Sequence, residues 1–353
     1  MERTLKFAVR FAVLTTVVFA AATVFPAFPQ QIARSPRIST PETKLAKAAA
    51  LTDIRSPSSL PFLLVADVHF KFEKQTVDGK YGLSWASPDM YHEVVVFPGF
   101  RQDVVVSHDK IYRKRTSDFL PLPVYEWESL MTAPLLWVPP KGARQAITSL
   151  PEEWKGQTGI DCIQSSIERV MDMRAPNSTY KRTACFQTAQ GYAVSDDIDD
   201  HGQRGSYRFS NYVPLGGQVF PEEITYADHE GMNAEMDVKT LKAVQAFAAS
   251  EFARPRGASA EAWCAKPTFS SPRAEFGIND SLDPGAATLP ASPMFLYVHV
   301  NPKGLADKVG ALQSSNAEAA NLWINLAHRA TYPIATCGGT PISREMIVIV
   351  ESR

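Results

Sequence analysis

The amino-acid sequence predicts an α+β protein, with a curved antiparallel β sheet in its N-terminal part and a small αβ domain at its C terminus. Apolar and polar residues alternate from Leu64 to Phe72, which is the pattern of a strand with one solvated face. Similar runs follow, and turn residues rather than helices separate them. The last segment, residues 314–352, combines a helical stripe of apolar residues with one strand of β-branched residues.

Length and charge narrow the possible classes of function. A chain of 353 residues allows about two domains besides a targeting segment. Its 36 basic and 37 acidic residues are dispersed, so the sequence has no basic patch of the kind that binds nucleic acid. We predict five segments: a signal peptide or N-terminal anchor at 1–31, a linker with a short helix at 32–59, a β domain at 60–250, a linker at 251–261 and an αβ domain at 262–353.

The first segment has the order of a secretory signal. Arg3, Lys6 and Arg10 precede an apolar run from Phe11 to Phe25, and small residues lie before Pro26. An uncleaved membrane anchor is the alternative, although the apolar run is slightly shorter than the roughly 20 residues that a spanning helix needs. We therefore favour cleavage and expect a protein of the periplasm or cell envelope.

A short helix is predicted in the segment before the β domain, and the β domain itself is predicted to be a meander. Thr40 suits an N-cap and Pro41 a first helical turn, so a helix is predicted from Pro41 to about Leu51. A turn is predicted at Val77–Lys80, and a helix over Val124–Thr132 interrupts the strands. The other strands are predicted at Tyr81–Trp85, Tyr91–Phe97, Arg101–Ser107, Lys110–Arg115, Ile160–Ser166, Tyr180–Thr188, Tyr192–Ser195, Ser206–Val213, Glu222–Ala227 and Glu235–Leu241.

The C-terminal domain is predicted to contain a helix and a terminal strand. Ala319, Leu322, Trp323, Leu326 and Ala330 form one stripe at the helical period. Ser315 and Glu318 have the spacing of a capping box at its start. Beyond the Gly338-Gly339 turn, the run Met346–Val350 is apolar on both faces. This pattern predicts a strand that the helix covers on one side.

Four cysteines in an exported chain can form disulfides, and spacing alone does not distinguish the three possible pairings. The predicted domains favour Cys162 with Cys185, on strand-like runs around a turn at residues 175–178. They also favour Cys264 with Cys337, since both lie in the C-terminal domain. A metal site is the alternative, but no Cys-x-x-Cys spacing is present.

No catalytic constellation stands out in the sequence. His92-Glu93 begins an HExxH-like string that lacks its second histidine, and there is no Gly-x-Ser-x-Gly elbow or phosphate-binding glycine loop. The acidic cluster Asp196–His201 lacks the ladder of a calcium loop and is predicted to be a solvated hairpin loop. Asn177 begins a glycosylation-type triplet, which we interpret as the tip of a polar turn. We therefore predict a non-enzymatic protein without a metal or other cofactor.

The curved sheet offers the best small-molecule site in the sequence, because its concave face must be filled by a helix or by an apolar ligand. Six aromatic residues are candidates to line an apolar cavity there: Phe70, Phe72, Trp85, Phe97, Trp127 and Phe209. The alternative for each is an ordinary place in the hydrophobic core, where aromatic side chains usually lie.

Residues 262–353 resemble the C-terminal domain of TonB-family proteins. The resemblance rests on Ala335–Ile342, which reads ATCGGTPI before the terminal strand, and on Phe295–Val300 with the hairpin Asn301–Gly304. Ala330-Thr331 departs from it, since the family usually has a Trp-Arg pair there. The resemblance implies that the strand Arg344–Val350 pairs with an extended segment of an envelope protein. Its predicted partner-binding residues are Arg344, Met346, Val348 and Val350.

Residues 60–250 are similar to the lipoprotein-carrier fold of LolA and to RseB-type domains. The phrases Gly79–Pro88 and Tyr207–Pro221, a repeated strand-and-turn pattern, carry this resemblance. It implies a curved sheet that holds a lipid or a lipidated chain.

Two functions therefore stay open. In the first, the protein is a TonB-like adaptor of the cell envelope that binds a protein partner, and it contacts the membrane only if its N-terminal segment is uncleaved. In the second, it is a periplasmic carrier or sensor of a lipid or acyl chain, with the C-terminal domain as a docking arm. No nucleic-acid partner is expected in either case.

Overall fold

One large, curved, antiparallel sheet dominates the fold. The computed structural model describes residues 40–132, 145–150, 158–168, 179–200, 203–269, 294–313 and 316–350. The strands of the large sheet are β1 (Phe62–Phe72), β2 (Gln75–Ser87), β3 (Met90–Phe97), β4 (Phe100–Ser107), β5 (Lys110–Arg115), β6 (Gln145–Leu150), β7 (Ile160–Glu168), β8 (Thr179–Gln187), β9 (Ala193–Asp200), β10 (Gln203–Leu215), β11 (Gln218–Asp228), β12 (Asn233–Ala243) and β13 (Ser259–Ala262). Their order in space is β13-β5-β4-β3-β2-β1-β12-β11-β10-β9-β8-β7-β6.

The first hairpin shows where the sequence pattern misplaced a turn. Val77–Lys80 lies inside β2 and pairs with β1, and the chain turns earlier, at Glu73, which has a φ of 50°. Gly79 serves close packing instead, because a Cβ there would lie 2.8 Å from the carbonyl oxygen of Val96 and 3.4 Å from the ring of Trp127. A glycine inside a strand is typical of such a close approach.

Two helices cover one face of the large sheet. In α1 (Pro41–Thr52), the predicted cap is confirmed, since Oγ1 of Thr40 accepts a hydrogen bond from the backbone N–H of Thr43 at 3.3 Å. In α2 (Leu122–Thr132), the buried Trp127 donates from Nε1 to the carbonyl oxygen of His69 at 3.0 Å. Both helices share one hydrophobic core with the alternate buried residues of β1.

A C-terminal module, residues 294–350, has a sheet of its own. It contains β15 (Met294–Val300), β16 (Ala306–Gln313), α3 (Ala317–Arg329), β17 (Ala335–Cys337), β18 (Thr340–Ile342) and β19 (Arg344–Val350). The strand order is β16-β15-β19, while β14 (Thr268–Phe269) pairs with β17. The helix begins one residue later than the capping box predicted, because Oδ1 of Asn316 accepts from the N–H groups of Glu318 and Ala319. Asparagine is an equally favourable N-cap.

The sheet of the C-terminal module is buried on both faces. One face packs on α3 in a second hydrophobic core, with Trp323 at its centre. The other face joins the main core through Phe295, Tyr297 and Ile347, and the ring of Phe295 lies edge-on to that of Phe72 at 5.7 Å. The module therefore occupies part of the space that the curved sheet encloses.

The predicted linker at 251–261 ends in a strand of the large sheet. Ala249–Phe252 forms one 3₁₀ turn, and β13 pairs with β5, so residues 39–353 form one compact unit. The predicted signal segment, the turn at 175–178 and Asn177 lie outside the described residues. Within the described part, no helix is both long and apolar enough to span a membrane.

Both predicted disulfides are confirmed. Cys162 and Cys185 are direct cross-strand neighbours on β7 and β8, with a Cα–Cα distance of 4.1 Å. Cys264 and Cys337 are 5.7 Å apart, and their bond ties the residues after β13 to β17. The second bridge therefore connects the large sheet to the C-terminal module.

Candidate functional site: a cavity between the large sheet and the C-terminal module

A cavity of about 290 Å³ lies where the C-terminal module meets the large sheet; we call it the joint cavity. Strands β3, β4 and β5 form one wall, and α2 and the start of β19 form others. Its apolar lining includes Tyr91, Val104, Ile111, Leu120 and Trp263, and its polar lining includes Glu93, Gln102, Arg113, Arg115, Glu128, Arg344 and Glu345. The site thus combines an apolar surface with buried charges.

Strand β5 brings two arginines to this cavity. Alternate residues of a strand point to the same side, so Arg113 and Arg115 face the interior together with the buried Ile111. On the neighbouring strand, Val104 is the direct partner of Arg113, and Gln102 is the partner of Arg115. Nε of Arg115 donates to Oε1 of Gln102 at 2.8 Å. The large sheet itself therefore orients this guanidinium.

The carboxylate of Glu345 accepts three hydrogen bonds and forms a further ion pair. Arg115 binds it with two parallel hydrogen bonds of 2.8 Å, the hydroxyl of Tyr297 donates to Oε1 at 2.6 Å, and Nε of Arg113 lies 3.3 Å from Oε2. Burial opposes ionisation of Glu345, but Arg113, Arg115 and Tyr297 outweigh it and lower its pKa to about 2. Glu345 is therefore an anion at every physiological pH.

Two further carboxyl groups of the cavity lining, Glu93 on β3 and Glu128 on α2, lie close together. The hydroxyl of Tyr81 donates to Oε2 of Glu93 at 2.5 Å, and Nε2 of Gln102 donates to Oε1 of Glu128 at 2.5 Å. Burial, and then the neighbouring Glu93, raise the pKa of Glu128 well above its usual range. Glu128 therefore holds its proton to a higher pH than an exposed glutamate does.

A histidine cluster continues the polar contacts beyond the cavity. Nε2 of His299 lies 3.4 Å from Oε2 of Glu261 on β13, and Nδ1 contacts Asp307 on β16. Nη1 of Arg113 donates to the same Glu261 oxygen at 3.0 Å. The hydrogen bond to Glu261 raises the pKa of His299, and Asp307 adds to this effect. These contacts attach the module to the edge of the large sheet.

The terminal strand that the sequence proposed as a partner site is largely internal. Val348 and Val350 are buried in the core under α3, while Arg344 and Met346 line the joint cavity. The guanidinium of Arg344 lies 5.0 Å from the ring centre of Phe269. The side chains named for partner binding therefore contact the protein's own residues.

The acidic cluster is part of a strand, so the predicted solvated loop is wrong. Asp196 is fully buried on β9 and receives hydrogen bonds from Nε and Nη2 of Arg182 at 2.7 and 2.6 Å. Asp197 pairs with Arg208 of β10 at 2.6 Å. The neighbouring strands supply the basic partners, and this pairing is not visible in the local sequence.

A second cavity of about 810 Å³ adjoins this cluster, beside Cys185. It lies on the face of β8 opposite the core residues Ala184 and Phe186. Asp197 and Arg208 line it and neutralise each other. We assign no ligand to it.

The six aromatic residues proposed for an apolar cavity lie in the main core. Five are buried, and Phe97 packs against the same core while partly exposed. None of them lines the joint cavity or the second cavity. Trp85 shows why: its ring stacks on those of Tyr91 and Phe62, and the guanidinium of Arg55 lies 4.9 Å above it. At these rings the protein's own side chains fill the sheet's enclosed face.

The cavity itself was not visible in the sequence. Arg113 and Arg115 lie in a run, KIYRKR, that reads as an ordinary exposed strand, and their partner Glu345 is 230 residues away. The only usable signal was that both share the face of Ile111. No group of three or more metal-ligating side chains occurs among the described residues.

Comparisons with known proteins return similarity of fold only. No protein-family profile and no curated protein matches the sequence. Among solved structures, a LolA-superfamily protein from Nitrosomonas europaea is 12% identical over 61% of this chain and 97% of its own, with a TM-score of 0.38. A domain assigned to outer membrane lipoprotein sorting, from Vibrio parahaemolyticus, is 15% identical over 60% and 97%, with a TM-score of 0.36.

A DUF1329 family protein from Desulfovibrio piger gives 13% identity over 60% of this chain and 95% of its own, with a TM-score of 0.38. All three TM-scores lie below 0.5, so these similarities carry no conclusion about role or ligand. The resemblance of residues 262–353 to TonB-family domains finds no support in these comparisons.

Proposed function

We propose that this is an exported, non-enzymatic carrier or sensor that holds an acyl chain of a lipid or lipidated protein in the joint cavity. The observation that carries the proposal is the cavity itself, which lies between the apolar face of the large sheet and a separately packed module. Tyr91, Val104, Ile111 and Leu120 give it an apolar wall. Apolar walls with a few placed polar groups are typical of small-molecule sites.

The size of the cavity fits a chain rather than a whole lipid. Its volume of about 290 Å³ lies just below the range of roughly 300–1,000 Å³ found for small-molecule sites. Binding rather than catalysis is proposed because Arg113 and Arg115 of the cavity are hydrogen-bonded to carboxylates, those of Glu261 and Glu345. Export is proposed from the N-terminal sequence and from the two disulfides, which persist in oxidising compartments.

The test is a titration with a fluorescent acyl probe, the methyl ester of a dansyl-labelled fatty acid, on the full chain. Wild type should bind the probe saturably. Val104→Phe should weaken binding at least tenfold, because the larger side chain fills the cavity from β4. Val96→Phe is the matched control, since Val96 is 36% exposed and lies on the neighbouring strand away from the cavity; it should bind like wild type.

Two outcomes would contradict the proposal. If wild type binds no acyl probe while it is monomeric and folded, the carrier function is wrong. If Val104→Phe and Val96→Phe bind equally well, a chain is held elsewhere. Circular dichroism and a thermal melt of each variant establish that the fold is retained.

A second candidate is the TonB-like adaptor, in which an envelope protein adds a strand beside β19. It is favoured by the strand order, since β19 stands at the end of its three-stranded sheet. In the full chain, Val348→Pro should abolish capture of an extended peptide from the partner, because proline removes a backbone donor, whereas Val348→Ala should retain it. A folded proline variant that still captures the peptide rules this candidate out.

A further inference from the structure

We propose that the joint cavity binds the acidic head of an amphiphile, a carboxylate or phosphate with an apolar tail, on Arg113 and Arg115 in competition with Glu345. This inference rests on the proposed function, because it assigns a ligand class and polar contacts to the same cavity. It makes Glu345 an internal substitute for the head group of the ligand.

The first support is the set of ion pairs that bind the carboxylate of Glu345. Arg115 binds this carboxylate through a bidentate pair of 2.8 Å hydrogen bonds, and its side chain is only 10% exposed. Arg113 approaches the same group at 3.3 Å. Carboxylates and phosphates are the groups that the planar guanidinium fork recognises in this way. A built anion site is therefore present, and a side chain of the protein occupies it.

The second support is the origin of the donors and of the present occupant. Arg113 and Arg115 belong to the large sheet, where Gln102 and Glu261 hold them. Glu345 belongs to the C-terminal module, which has its own core under α3. The anion-binding groups therefore keep their positions if the module shifts and withdraws Glu345. A ligand's acid group can then take the vacated donors.

The third support is the surface beside the arginines. Val104 is the cross-strand partner of Arg113, Ile111 lies two residues before it, and Tyr91 adjoins them in the lining. An acid group held on the two guanidiniums would thus place its tail on apolar side chains.

The test compares a dansyl-labelled fatty acid with its methyl ester on the full chain. Glu345→Gln should tighten binding of the acid about tenfold or more, because it removes the competing charge while keeping the shape. Arg115→Gln should weaken binding of the acid about tenfold or more, because it removes the bidentate donor. The methyl ester should bind alike to wild type and to both variants. Arg101→Gln, an exposed arginine on the outer face of β4, is the matched control and should change neither affinity.

The opposite directions separate this proposal from a merely structural ion pair. If the pair only held the module in place, both variants would break the same contact and would shift acid and ester together. That result overturns the head-group inference and leaves acyl binding intact. If neither acid nor ester binds wild type or any variant, the proposed function itself fails, and the head-group site fails with it.

Competition experiments distinguish the sources of the acid group. Dodecanoate and dodecyl phosphate should both displace the bound acid probe, whereas dodecanol at the same concentration should displace it at least tenfold less. Inorganic phosphate should not displace it at that concentration. Displacement by inorganic phosphate alone would show a site for a free anion and would contradict the amphiphile proposal.

Discussion

The two faces of the sheet in the C-terminal module are both buried, but they differ in chemistry. Under α3, the contacts are mainly apolar, with Leu296, Val348 and Trp323 in one cluster. Toward the large sheet, Tyr297 and Ile347 pack in the main core beside the ion pairs of Glu345. Apolar burial is favourable without a specific partner geometry, whereas a buried ion pair depends on each partner being present. The first face therefore holds the module together, and the second attaches it in a way that another anion can replace.

The largest effect is expected from a substitution in the apolar core under α3. Trp323→Ala should cost about 3–5 kcal/mol of unfolding free energy, because it leaves a large cavity in a small core. Trp323→Phe is the matched control: the indole N–H has no hydrogen-bond partner among the described residues, so its loss should cost much less. Urea unfolding followed by circular dichroism measures both. Equal losses would mean that α3 contributes little to the module.

Removal of the disulfide between the large sheet and the C-terminal module should have the next largest effect on stability. Replacing Cys264 and Cys337 by serine should cost about 4 kcal/mol in the chain-entropy account, since the cysteines are 73 residues apart. The same change at Cys162 and Cys185, which are 23 residues apart, should cost about 3 kcal/mol. Urea unfolding of both double variants checks the order. A larger loss from the shorter loop would show that local packing outweighs loop closure.

The same substitution, Tyr→Phe, can be made on both faces of the module's sheet to compare the hydrogen bonds there. Tyr297 donates to the ionised Glu345 at 2.6 Å, and Tyr332 donates to the neutral carbonyl oxygen of Ala327 at 2.9 Å. Hydrogen bonds to charged groups contribute about 1.5–3 kcal/mol and neutral ones about 0.5–1.5. Tyr297→Phe should therefore lower stability more than Tyr332→Phe. If Tyr332→Phe lowers the melting temperature more than Tyr297→Phe does, the hydrogen bond of Tyr297 does not have the strength expected of a bond to a charged group.

The smallest expected effect is a pH dependence of the attachment. Because the pKa of His299 is raised by Glu261 and Asp307, its contribution is complete below the ordinary histidine pKa of about 6.5 and is lost as pH rises through the raised pKa. Arg113 and Glu345 also adjoin this cluster, and Glu345, with its pKa near 2, stays ionised throughout.

Melting temperatures between pH 6 and 9 should therefore decline in wild type. The decline should be smaller in His299→Gln, which removes the titrating group. If the two proteins show identical pH profiles, His299 does not contribute to the attachment. Glu345 adds the complementary dependence, because its contribution is lost only as pH falls from the ordinary glutamate range toward 2.

Local patterns in the sequence were enough to locate most elements. The alternation in β1 comes from burial on one side, which repeats with the period of a strand. The predicted stripe of α3 was correct only in part, because Trp323 is buried but Leu322 is 41% exposed. The disulfide pairs followed from the predicted order of domains. The β-branched run Met346–Val350 indicated the terminal strand, and the bounds Arg344–Val350 that the resemblance implied are those of β19.

Contacts between distant segments were not predictable in the same way. Asp196 reads as a loop residue until β8 supplies Arg182 beside it, and Gly79 reads as a turn until Trp127 packs on it. The joint cavity forms only because β5 and β19, which are far apart in the sequence, come together in space. Nothing in either segment alone indicates that Arg115 and Glu345 are buried partners, because charged residues in strands are usually solvated.

The Cys264–Cys337 bridge also sets how the module would behave once its ion pairs are broken. The bridge lies next to the joint cavity, and Cys264 itself lines it. A tethered module stays at a high effective concentration near its docking face, commonly in the millimolar range for short flexible links. Release of Glu345 would then be a brief excursion with rapid return, independent of protein concentration. Weak, replaceable contacts are therefore sufficient to dock the C-terminal module, because the disulfide rather than those contacts keeps it near the large sheet.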